Sequence, residues 1–521
     1  MRVSRVHASW RTASRRPIAA LAVLALGAIL SSCGASPAAV AAKRSKAPRR
    51  GAASVAGGQT LTVGPAVDGP AVPAGFLGLS IEFPGVEDYA GHSPTALDPA
   101  FVQLVRGLSP GQQGVLRIGG DSTDWTWLPV AHVSRPGGIK YDLTESWIKV
   151  SQALAEALDD RLILGLNLEA DSRTVASAEA RALLSGIGSK WIDGFEIGNE
   201  PELYGTYGWY KAPDGQHITG RPPGYDFQDF IRDFSSIAGA LPRVPLAGPA
   251  SGSQLWLNDL GAFLSDERRV GLVTIHAYPT KHCVPSAVVT AADLLSAAAS
   301  QGFAHQLGPY AAVAHRHGLA LRVDEINSIS CGGEQDLSNT FAPALWAVDV
   351  LFQLERTGVN GVNFHTNPHT LNQLIGAREV HGTWQAEVEP EYYGLIMFAQ
   401  AAPAGARLLQ VSGPTAASFD TWATRAPDGQ IHVVLINKGN GPKSVRLRIA
   451  AGTGPATLVR LQAPSLLAKS GVTLGGQTFG SETSTGLLAG QSTATTVTPA
   501  GGSYSVSVPA ASAAMLTLAG S

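Results

Sequence analysis

The strongest structural signal in this chain is Trp191-Ile-Asp-Gly-Phe-Glu-Ile-Gly-Asn-Glu-Pro-Glu-Leu-Tyr204. The first part of this stretch is apolar enough for a buried strand, and that strand leads into the carboxylate of Glu200. A second run, Leu319-Ala-Leu-Arg-Val-Asp-Glu-Ile-Asn327, places Glu325 in a similar setting. Two such carboxylates are either structural, each capping a strand or pairing with an arginine, or a pair suited to acid–base chemistry on a sugar.

Eight apolar runs alternate with helical patterns, as expected for parallel strands buried on both faces. The runs are Gly75–Phe83, Gly114–Gly120, Arg161–Leu168, Trp191–Asn199, Val244–Ala250, Leu272–Tyr278, Ala320–Ile326 and Gly358–Thr366. Amphipathic helices are predicted at Thr144–Leu158, Asp226–Leu241 and Asn339–Arg356, with Thr144 and Asn339 as N-caps. Eight strand–helix repeats predict an α/β fold of the TIM-barrel type, (β/α)₈.

The C-terminal part has a different texture, with short strand-like runs separated by turn signals, which predicts an antiparallel β-sandwich. We expect a lipoprotein-type signal peptide at 1–32, a flexible tether at 33–58, a strand at 59–70 that joins the sandwich, the catalytic barrel at 71–400 and the sandwich at 401–521. The chain of 521 residues is long enough for both modules.

The charge is distributed unevenly. The first 50 residues contain ten Lys and Arg and no Asp or Glu, so the remaining 28 basic and 40 acidic residues leave a net charge of −12. This balance argues against nucleic acid as a partner, and it provides no global attraction for sulfated polyanions.

The N-terminus resembles a bacterial export signal. Basic residues precede an apolar run from Pro17 to Leu30, and Leu30-Ser-Ser-Cys33 is similar to a lipobox. We therefore expect an exported cell-surface lipoprotein, lipidated at Cys33 and in contact with the membrane through that anchor only. The alternative is an ordinary cleaved signal in a secreted protein. Export permits a disulfide between Cys283 and Cys331, which follow neighbouring predicted strands; two unrelated thiols are the alternative.

In a barrel of this type the chemistry sits at the C-terminal ends of the strands. Glu200 follows the fourth strand and Glu325 lies in the seventh, so their carboxyls can flank one glycosidic bond. A retaining glycosidase uses two carboxyls about 5–5.5 Å apart, one as acid and then base, the other as nucleophile. Asn199 is placed to contact a sugar hydroxyl beside the anomeric carbon.

Phe195-Glu-Ile-Gly-Asn-Glu-Pro201 and Val323-Asp-Glu325 resemble the acid/base and nucleophile strands of the barrel glycosidases that have their two glutamates on strands four and seven. Other motifs are similar to those of glycoside hydrolase family 79, which contains β-glucuronidases and heparanases. These motifs are Leu116-Arg-Ile-Gly-Gly-Asp-Ser-Thr-Asp124, Leu162-Ile-Leu-Gly-Leu-Asn167, Val273-Thr-Ile-His-Ala-Tyr278, Gly361-Val-Asn-Phe-His365 and Tyr392-Tyr-Gly-Leu395. The resemblance covers about residues 60–520.

The resemblance implies a retaining β-glucuronidase that acts on a glucuronide or a glucuronate-containing glycan without a cofactor or metal. Glu200 would be the acid/base, Glu325 the nucleophile and Asn199 the partner of the 2-hydroxyl group. Arg117 would order the nucleophile, or else be a buried salt-bridge residue. The implied sugar-pocket residues are Glu82, His276, Tyr278, Asn363 and His365, of which His276 and Tyr278 have packing roles as alternatives.

One departure concerns the loop after the eighth strand, at 366–380. Bacterial glucuronidases of the family use glycines and a tyrosine there to bind the sugar carboxylate, and this chain has no tyrosine in the loop. Asn367, His369, Arg378 or backbone amides would take over that contact. The alternatives are the same mechanism on a neutral or substituted sugar, and a non-catalytic surface protein that binds carbohydrate.

Overall fold

The structure is a computed structural model, and it describes residues 59–284, 286–414, 416–450 and 454–520. The predicted signal peptide, the tether and the lipidation site at Cys33 lie outside these residues. Within them, no helix combines the length and the apolar character that crossing a membrane requires.

Eight parallel strands close into a barrel, which confirms the predicted fold class. In chain order they are Leu77–Glu82, Val115–Gly119, Arg161–Leu166, Ile192–Ile197, Leu246–Ser251, Val270–His276, Ala320–Ile326 and Gly361–His365. The eighth strand pairs with the first, with Val362 opposite Leu77, so the sheet has no free edge. These strands are almost wholly buried because helices cover the sheet and side chains fill its interior.

Helices cover the outside of the barrel and connect its strands. The α-helices are Gly85–Ala90, Pro99–Arg106, Glu145–Leu158, Arg173–Ile187, Phe227–Ala240, Gln254–Leu257, Leu260–Asp266, Ala291–Leu294, Phe303–Arg316, Ala342–Arg356 and Pro390–Ala401. Shorter 3₁₀ or π turns are Gly120–Thr123, Ser189–Trp191, Pro201–Leu203 and Ala298–Gly302.

The helix caps show how far local sequence determines the helix starts. The side chain of Thr144 accepts a hydrogen bond from the N–H of Trp147, as predicted. The predicted cap at Asn339 is wrong, because the helix begins at Ala342 after Phe341. If Asn339 were the N-cap, the first intrahelical hydrogen bond would need the N–H of Pro343, which proline lacks. A helix that starts at Ala342 instead keeps this proline in its first turn, where no such N–H is needed.

Ten further strands of the described residues form a mainly antiparallel sheet around a second apolar core. Its strands are Gln59–Ala71, Arg407–Ser412, Phe419–Arg425, Ile431–Asn437, Lys443–Ile449, Ala456–Gln462, Thr473–Leu474, Thr495–Val497, Tyr504–Val508 and Ser512–Leu518. The strand Gln59–Ala71 pairs with Arg407–Ser412 and Lys443–Ile449, so the start of the described chain is part of the C-terminal module.

The sheet packs against the barrel through a buried polar contact. Asp349, on a barrel helix, accepts hydrogen bonds from the indole of Trp422 at 3.0 Å and from Lys438 at 2.6 Å. The ring of Trp422 also stacks on Phe352 with 5.3 Å between centroids. A buried charge with opposite partners resists separation, because removing one partner leaves the other unpaired.

Short two-stranded sheets shape the loops at the mouth of the barrel. They pair Thr126–Trp127 with Tyr141–Asp142, Tyr210–Lys211 with His217–Ile218, Thr280–Lys281 with Ile329–Ser330, and Ile375–Val380 with Thr383–Val388. The last pair is an antiparallel hairpin in the connection that follows the eighth barrel strand.

Candidate active site

Glu200 occupies a fixed turn directly after the fourth barrel strand. Its φ of 44° lies in the left-handed region, and its N–H donates to the carbonyl of Ala250 at 2.9 Å. Pro201 then starts a single 3₁₀ turn, in which the N–H of Leu203 donates to the carbonyl of Glu200. A non-glycine residue holds this conformation at a cost of order 1–3 kcal/mol, and such outliers concentrate at functional sites.

Glu200 and Glu325 meet at the barrel mouth around His276. One oxygen of each carboxylate and a ring nitrogen of the histidine lie within 4.8 Å of one another. Nδ1 of His276 is 3.2 Å from Oε1 of Glu200 and 3.8 Å from Oε2 of Glu325. The two carboxyls are thus close enough to act on one anomeric carbon.

Arg117, on the second strand, is the fully buried centre of the site. Its guanidinium donates to Oε2 of Glu325 at 2.7 Å, to Oδ1 of Asn199 at 2.8 Å and to Oε2 of Glu196 at 2.8 Å. The planar guanidinium can hold several acceptors in fixed directions, which a lysine cannot do. Arg117 therefore orients both the predicted nucleophile and the predicted hydroxyl partner.

The charges around Glu325 keep it ionised. Burial alone would raise the pKa of this carboxyl, but His365, His276 and Arg117 outweigh burial and hold the pKa well below its usual range. The phenol of Tyr278 donates to Oε1 of Glu325 at 3.0 Å and stabilises the same charge. A carboxylate in this environment is suited to nucleophilic attack.

Two further carboxyls lie beneath the guanidinium, at Glu196 and Asp324. Burial and the adjoining Glu196 raise the pKa of Asp324 well above its usual range, whereas burial of Glu196 is outweighed by Arg117, which lowers its pKa. Asp324 is therefore the protonated partner of this pair, because like charges so close cannot both ionise.

His276 contacts the acids on both sides and the guanidinium between them. Burial lowers the pKa of this ring, but Glu325, Glu200 and Asp324 together raise it to about 9. Nη2 of Arg117 lies 3.1 Å from Nε2, and the charge of this guanidinium opposes protonation of the ring. On the other side, Nδ1 faces Oε1 of Glu200.

Glu82 and His365 form the opposite wall. Nε2 of His365 is 3.5 Å from Oε1 of Glu82, and Nδ1 is 3.1 Å from the hydroxyl of Ser80. Oε2 of Glu82 accepts from the N–H of Ser122 at 2.8 Å. A Cβ on Gly120 would lie 2.4 Å from Oε1 of Glu82, so glycine is needed for this carboxylate to take its position.

The predicted pocket residue Asn363 is placed elsewhere, which corrects the expectation. Its side chain is fully buried, and both amide hydrogens are used by the carbonyls of Leu79 and Val115. Oδ1 accepts from Arg322 at 2.8 Å. The side chain therefore has no donor left for a sugar and serves the packing of the barrel interior.

Sequence reasoning missed two aspartates of the second-strand loop, Asp121 and Asp124. The side chain of Asp121 reaches solvent in the cleft, where desolvation by the surrounding protein and the charges of Glu82, Glu325 and Glu200 raise its pKa to about 7. The signal was present in Gly119-Gly-Asp121, where glycines permit a close turn into the cleft.

Asp124 is buried and links three loops of the barrel mouth. Oδ1 accepts from the N–H groups of Leu168 and Glu169, and Oδ2 accepts from the N–H of Asn199 at 3.1 Å and the hydroxyl of Tyr204 at 2.5 Å. This aspartate holds the turn that carries Asn199 and Glu200. No local pattern predicts the role, because its partners lie 44 to 80 residues away.

A disulfide joins Cys283 to Cys331, with a Cα–Cα distance of 5.2 Å. It connects the loop after the sixth strand to the loop after the seventh, beside the short pairing of Thr280–Lys281 with Ile329–Ser330. Both loops continue from strands that supply site residues, Tyr278 on one side and Glu325 on the other. The bridge lies at the rim of the site.

Two triads have donor atoms close enough to hold a metal ion: Glu196, His276 and Asp324, and Glu200, His276 and Glu325. In the first triad, Arg117 already contacts all three residues. In the second, the guanidinium takes Oε2 of Glu325. A guanidinium in contact with these donors would repel a cation, so the geometry suits the positioning of the side chains by Arg117.

Comparison with known proteins identifies a domain within the C-terminal module. The model of the glycosyl hydrolase family 79 C-terminal beta domain matches residues 421–515. No curated protein matches the chain. The fold is similar to that of a 4-O-α-L-rhamnosyl-β-D-glucuronidase from Fusarium oxysporum, with 20% identity and a TM-score of 0.69 over 88% of this chain and 100% of that chain.

Two further solved structures share the fold. A family 51 arabinofuranosidase from Xanthomonas axonopodis pv. citri is 16% identical, with a TM-score of 0.63 over 88% of this chain and 99% of that chain. A family 51 α-L-arabinofuranosidase from Thermotoga petrophila is 14% identical, with a TM-score of 0.60 over 88% and 100%. These matches, with the two carboxylates at the strand ends, confirm the resemblance that the motifs indicated. The chain is a glycoside hydrolase whose residues 421–515 match the C-terminal beta domain of family 79.

Proposed function

We propose that this protein is a retaining β-glucuronidase. The observation that carries the proposal is the approach of Glu200 and Glu325 to within 4.8 Å, oxygen to oxygen. Retaining enzymes hold their carboxyls about 5–5.5 Å apart, whereas inverting enzymes leave about 6.5–9.5 Å for a water molecule. The separation favours direct attack by one carboxylate.

In the first step, Glu325 attacks the anomeric carbon and forms a glycosyl ester as the bond to the leaving oxygen breaks. Glu200 gives its proton to that oxygen, so the aglycone departs as a neutral alcohol. Arg117 and Tyr278 hold the two oxygens of Glu325 in place for the attack.

In the second step, the Glu200 carboxylate takes a proton from water while the water oxygen attacks the anomeric carbon. The ester bond to Glu325 breaks, and the sugar leaves as the β anomer. Oδ1 of Asn199 is occupied by Arg117, so the amide directs its N–H₂ group outward. That donor suits the 2-hydroxyl, whose contact strengthens as positive charge develops on the ring.

The choice of glucuronate draws on the family 79 motifs and on the similar Fusarium glucuronidase. Lys140 supports it, because this exposed cation lies near Asp121 and is held 3.3 Å above the ring of Trp125. Arg378 supports it less, since its side chain pairs with Glu482 of the C-terminal module. We assign the carboxylate contact to Lys140 and the 366–374 loop.

A neutral sugar is the second candidate, and the acidity of the pocket favours it. Glu82, Asp121 and Glu325 face the same cleft, and their charges act on one another. A sugar carboxylate in their midst would be repelled unless Asp121 carries a proton. The two candidates share the mechanism and differ only in this recognition.

We also propose export with a lipid anchor at Cys33. The lipobox-like sequence before Cys33 supports it, and the disulfide suits an oxidising compartment. Replacing Cys33 by serine should move the protein from the membrane fraction to the medium. A protein that fractionates identically with and without Cys33 would contradict the anchor.

The test compares aryl β-glucuronide, β-glucoside and β-xyloside hydrolysis, with the product anomer followed by NMR. We expect turnover of the glucuronide with the β anomer first. The variant Glu325→Gln should lose activity on every substrate. Glu200→Gln should keep kcat/KM on a dinitrophenyl glycoside, whose leaving group needs no proton, but lower its kcat, because the second step loses its base. Glu156→Gln, on an exposed helix surface, is the matched control.

Each outcome of that test separates the candidates. Turnover of a neutral sugar alone would move the substrate assignment and keep the mechanism. An α product, or activity that survives Glu325→Gln, would refute the retaining mechanism with Glu325 as nucleophile. Binding of glucuronide without turnover would leave a carbohydrate-binding protein.

A further inference from the structure

Exposed large apolar side chains are concentrated on one side of the barrel mouth. Among the described residues, five of the seven lie on the loops that follow the fourth, fifth and sixth strands. We call these five the apolar rim: Leu203, Tyr207, Leu255, Val284 and Val288. Tyr207 is 72% exposed and Leu255 is 76% exposed, although burial of such groups is strongly favourable. A local excess of this kind marks a surface that binds something apolar.

The rim is continuous with the acid/base carboxylate. The N–H of Leu203 donates to the carbonyl of Glu200 at 2.9 Å, and the N–H of Tyr207 donates to the carbonyl of Leu203 at 2.7 Å. On the next loop, a Cβ on Gly252 would lie 3.3 Å from Oε1 of Glu200, and Leu255 follows three residues later. Both loops therefore begin beside the carboxylate of Glu200, which protonates the leaving group in the proposed mechanism.

The chemistry assigns this side of the cleft to the leaving group. Glu200 must lie against the glycosidic oxygen, so the aglycone extends over the loops of the fourth and fifth strands. The sugar ring is left to the opposite walls, where Glu82, Asp121 and His365 supply polar atoms. The apolar side chains consequently face the aglycone half.

The segments that carry the rim side chains contain no charged residue that could pair with a polyanionic chain. Residues 203–210, 252–258 and 284–289 contain no Lys, Arg, Asp or Glu. The carboxylate of Glu202, directly before Leu203, turns inward and accepts from the N–H of Gly252 at 2.6 Å. A bound polysaccharide would lose its hydration there without gaining matched partners.

The rim also has a rigid base. Beneath it, the ring of Tyr225 packs against those of Tyr204 and Trp256, with centroids 6.2 and 6.1 Å apart. Trp256 packs in turn on Phe227 at 5.3 Å. A surface supported in this way binds with little ordering of its own side chains, which favours affinity.

We propose that the apolar rim is an aglycone subsite for hydrophobic alcohols and phenols, so that the natural substrates are alkyl or aryl glucuronides of low molecular weight. This inference rests on the proposed glucuronidase function and specifies its substrate class.

The test uses alkyl β-glucuronides from methyl to octyl, whose leaving alcohols have nearly equal acidity, so that only apolar contact changes along the series. A fully buried methylene contributes about 0.8 kcal/mol, and half-burial corresponds to about a two-fold gain in kcat/KM per methylene. The octyl compound should therefore exceed the methyl compound by about 100-fold over seven methylenes. A glucuronide with a neutral monosaccharide aglycone is measured beside them.

The variants Tyr207→Ser and Leu255→Ser should reduce the octyl-to-methyl ratio several-fold each. The matched controls are Leu467→Ser and Leu487→Ser, which remove exposed leucines of the C-terminal module and should leave the ratio unchanged. A flat series, a ratio insensitive to both rim variants, or preference for the sugar aglycone would overturn the subsite. Failure to hydrolyse even an activated dinitrophenyl glucuronide would instead refute the glucuronidase function.

Discussion

Replacing Asp124 by asparagine is expected to impair proton donation by Glu200 without touching Glu200. Asp124 holds the turn of Asn199 and Glu200 through Oδ2, which accepts from the N–H of Asn199 and the hydroxyl of Tyr204. Gly198, at φ 82°, leaves room for that hydroxyl, since a Cβ there would lie 2.6 Å from it. The turn thus depends on the aspartate.

The expected loss of unfolding free energy follows from the four hydrogen bonds that the carboxylate of Asp124 accepts. The asparagine oxygen keeps the N–H groups of Leu168 and Glu169, so the new N–H₂ group replaces Oδ2. Two bonds to a charged acceptor are lost, each contributing about 1.5–3 kcal/mol. Part of this is offset, because the N–H of Asn199 keeps its 3.1 Å contact with the hydroxyl of Tyr204 and that hydroxyl can accept from the new amide. A net loss of about 2–3 kcal/mol in unfolding free energy is expected.

The effect on rate depends on the leaving group. A displacement of about 1 Å at a catalytic group costs about 100-fold in rate. Phenyl β-glucuronide needs the proton of Glu200, so its kcat/KM should fall about 10- to 100-fold. Dinitrophenyl β-glucuronide needs no proton and should lose far less.

The assay measures kcat/KM on both substrates together with thermal unfolding. Asp98→Asn is the matched control, since this buried aspartate caps the helix Pro99–Arg106 through the N–H of Ala100 and should affect stability alone. Equal losses on the two substrates in Asp124→Asn, or full activity in a destabilised variant, would refute the positioning role.

Three further predictions concern the pH dependence, the disulfide and the second-strand turn. Burial raises the pKa of Glu179 to about 8, so the folded protein binds a proton there that the unfolded chain releases above about pH 4.5. The stability of the fold therefore falls as pH rises from about 4.5 to 8. The variant Glu179→Gln should raise the Tm at pH 9 and leave it nearly unchanged at pH 4. Replacing Cys283 and Cys331 by serine opens a loop of 48 residues, which should cost about 3–4 kcal/mol of unfolding free energy in chemical denaturation, and an unchanged midpoint would contradict this. The variant Gly120→Ala should displace the carboxylate of Glu82 and raise KM for the glucuronide at least about 10-fold, because the buried carboxylate loses its hydrogen-bond partners. Unaltered kinetics would show that this carboxylate is dispensable.

The parts of the fold that follow from periodicity were predictable from sequence. Apolar runs at regular spacing located all eight barrel strands, and the strand ends indicated Glu200 and Glu325. The helix start at Ala342 was also recoverable, had the rule against an interior proline been applied to Pro343. These features depend on neighbours within a few residues.

Depth inside the barrel was not predictable in the same way. Asn363 and His365 are two residues apart on one strand, so both point to the same face. His365 reaches the cleft, while Asn363 lies one layer lower among the carbonyls of Leu79 and Val115. Alternation indicates the direction of a side chain, but its height in the barrel depends on the strand tilt and on the neighbouring strands.

The contacts that distinguish the two glutamates are equally non-local, and the proposed roles of the two residues rest on them. Glu325 receives a guanidinium and a phenol, both of which stabilise a carboxylate, whereas Glu200 contacts the imidazole of His276. Exchanging the roles would require moving Arg117, and the buried Glu196 holds that guanidinium from below at 2.7 Å. A single arginine on the second strand therefore distinguishes two chemically identical side chains, and this supports the proposal that Glu325 is the nucleophile and Glu200 the proton donor.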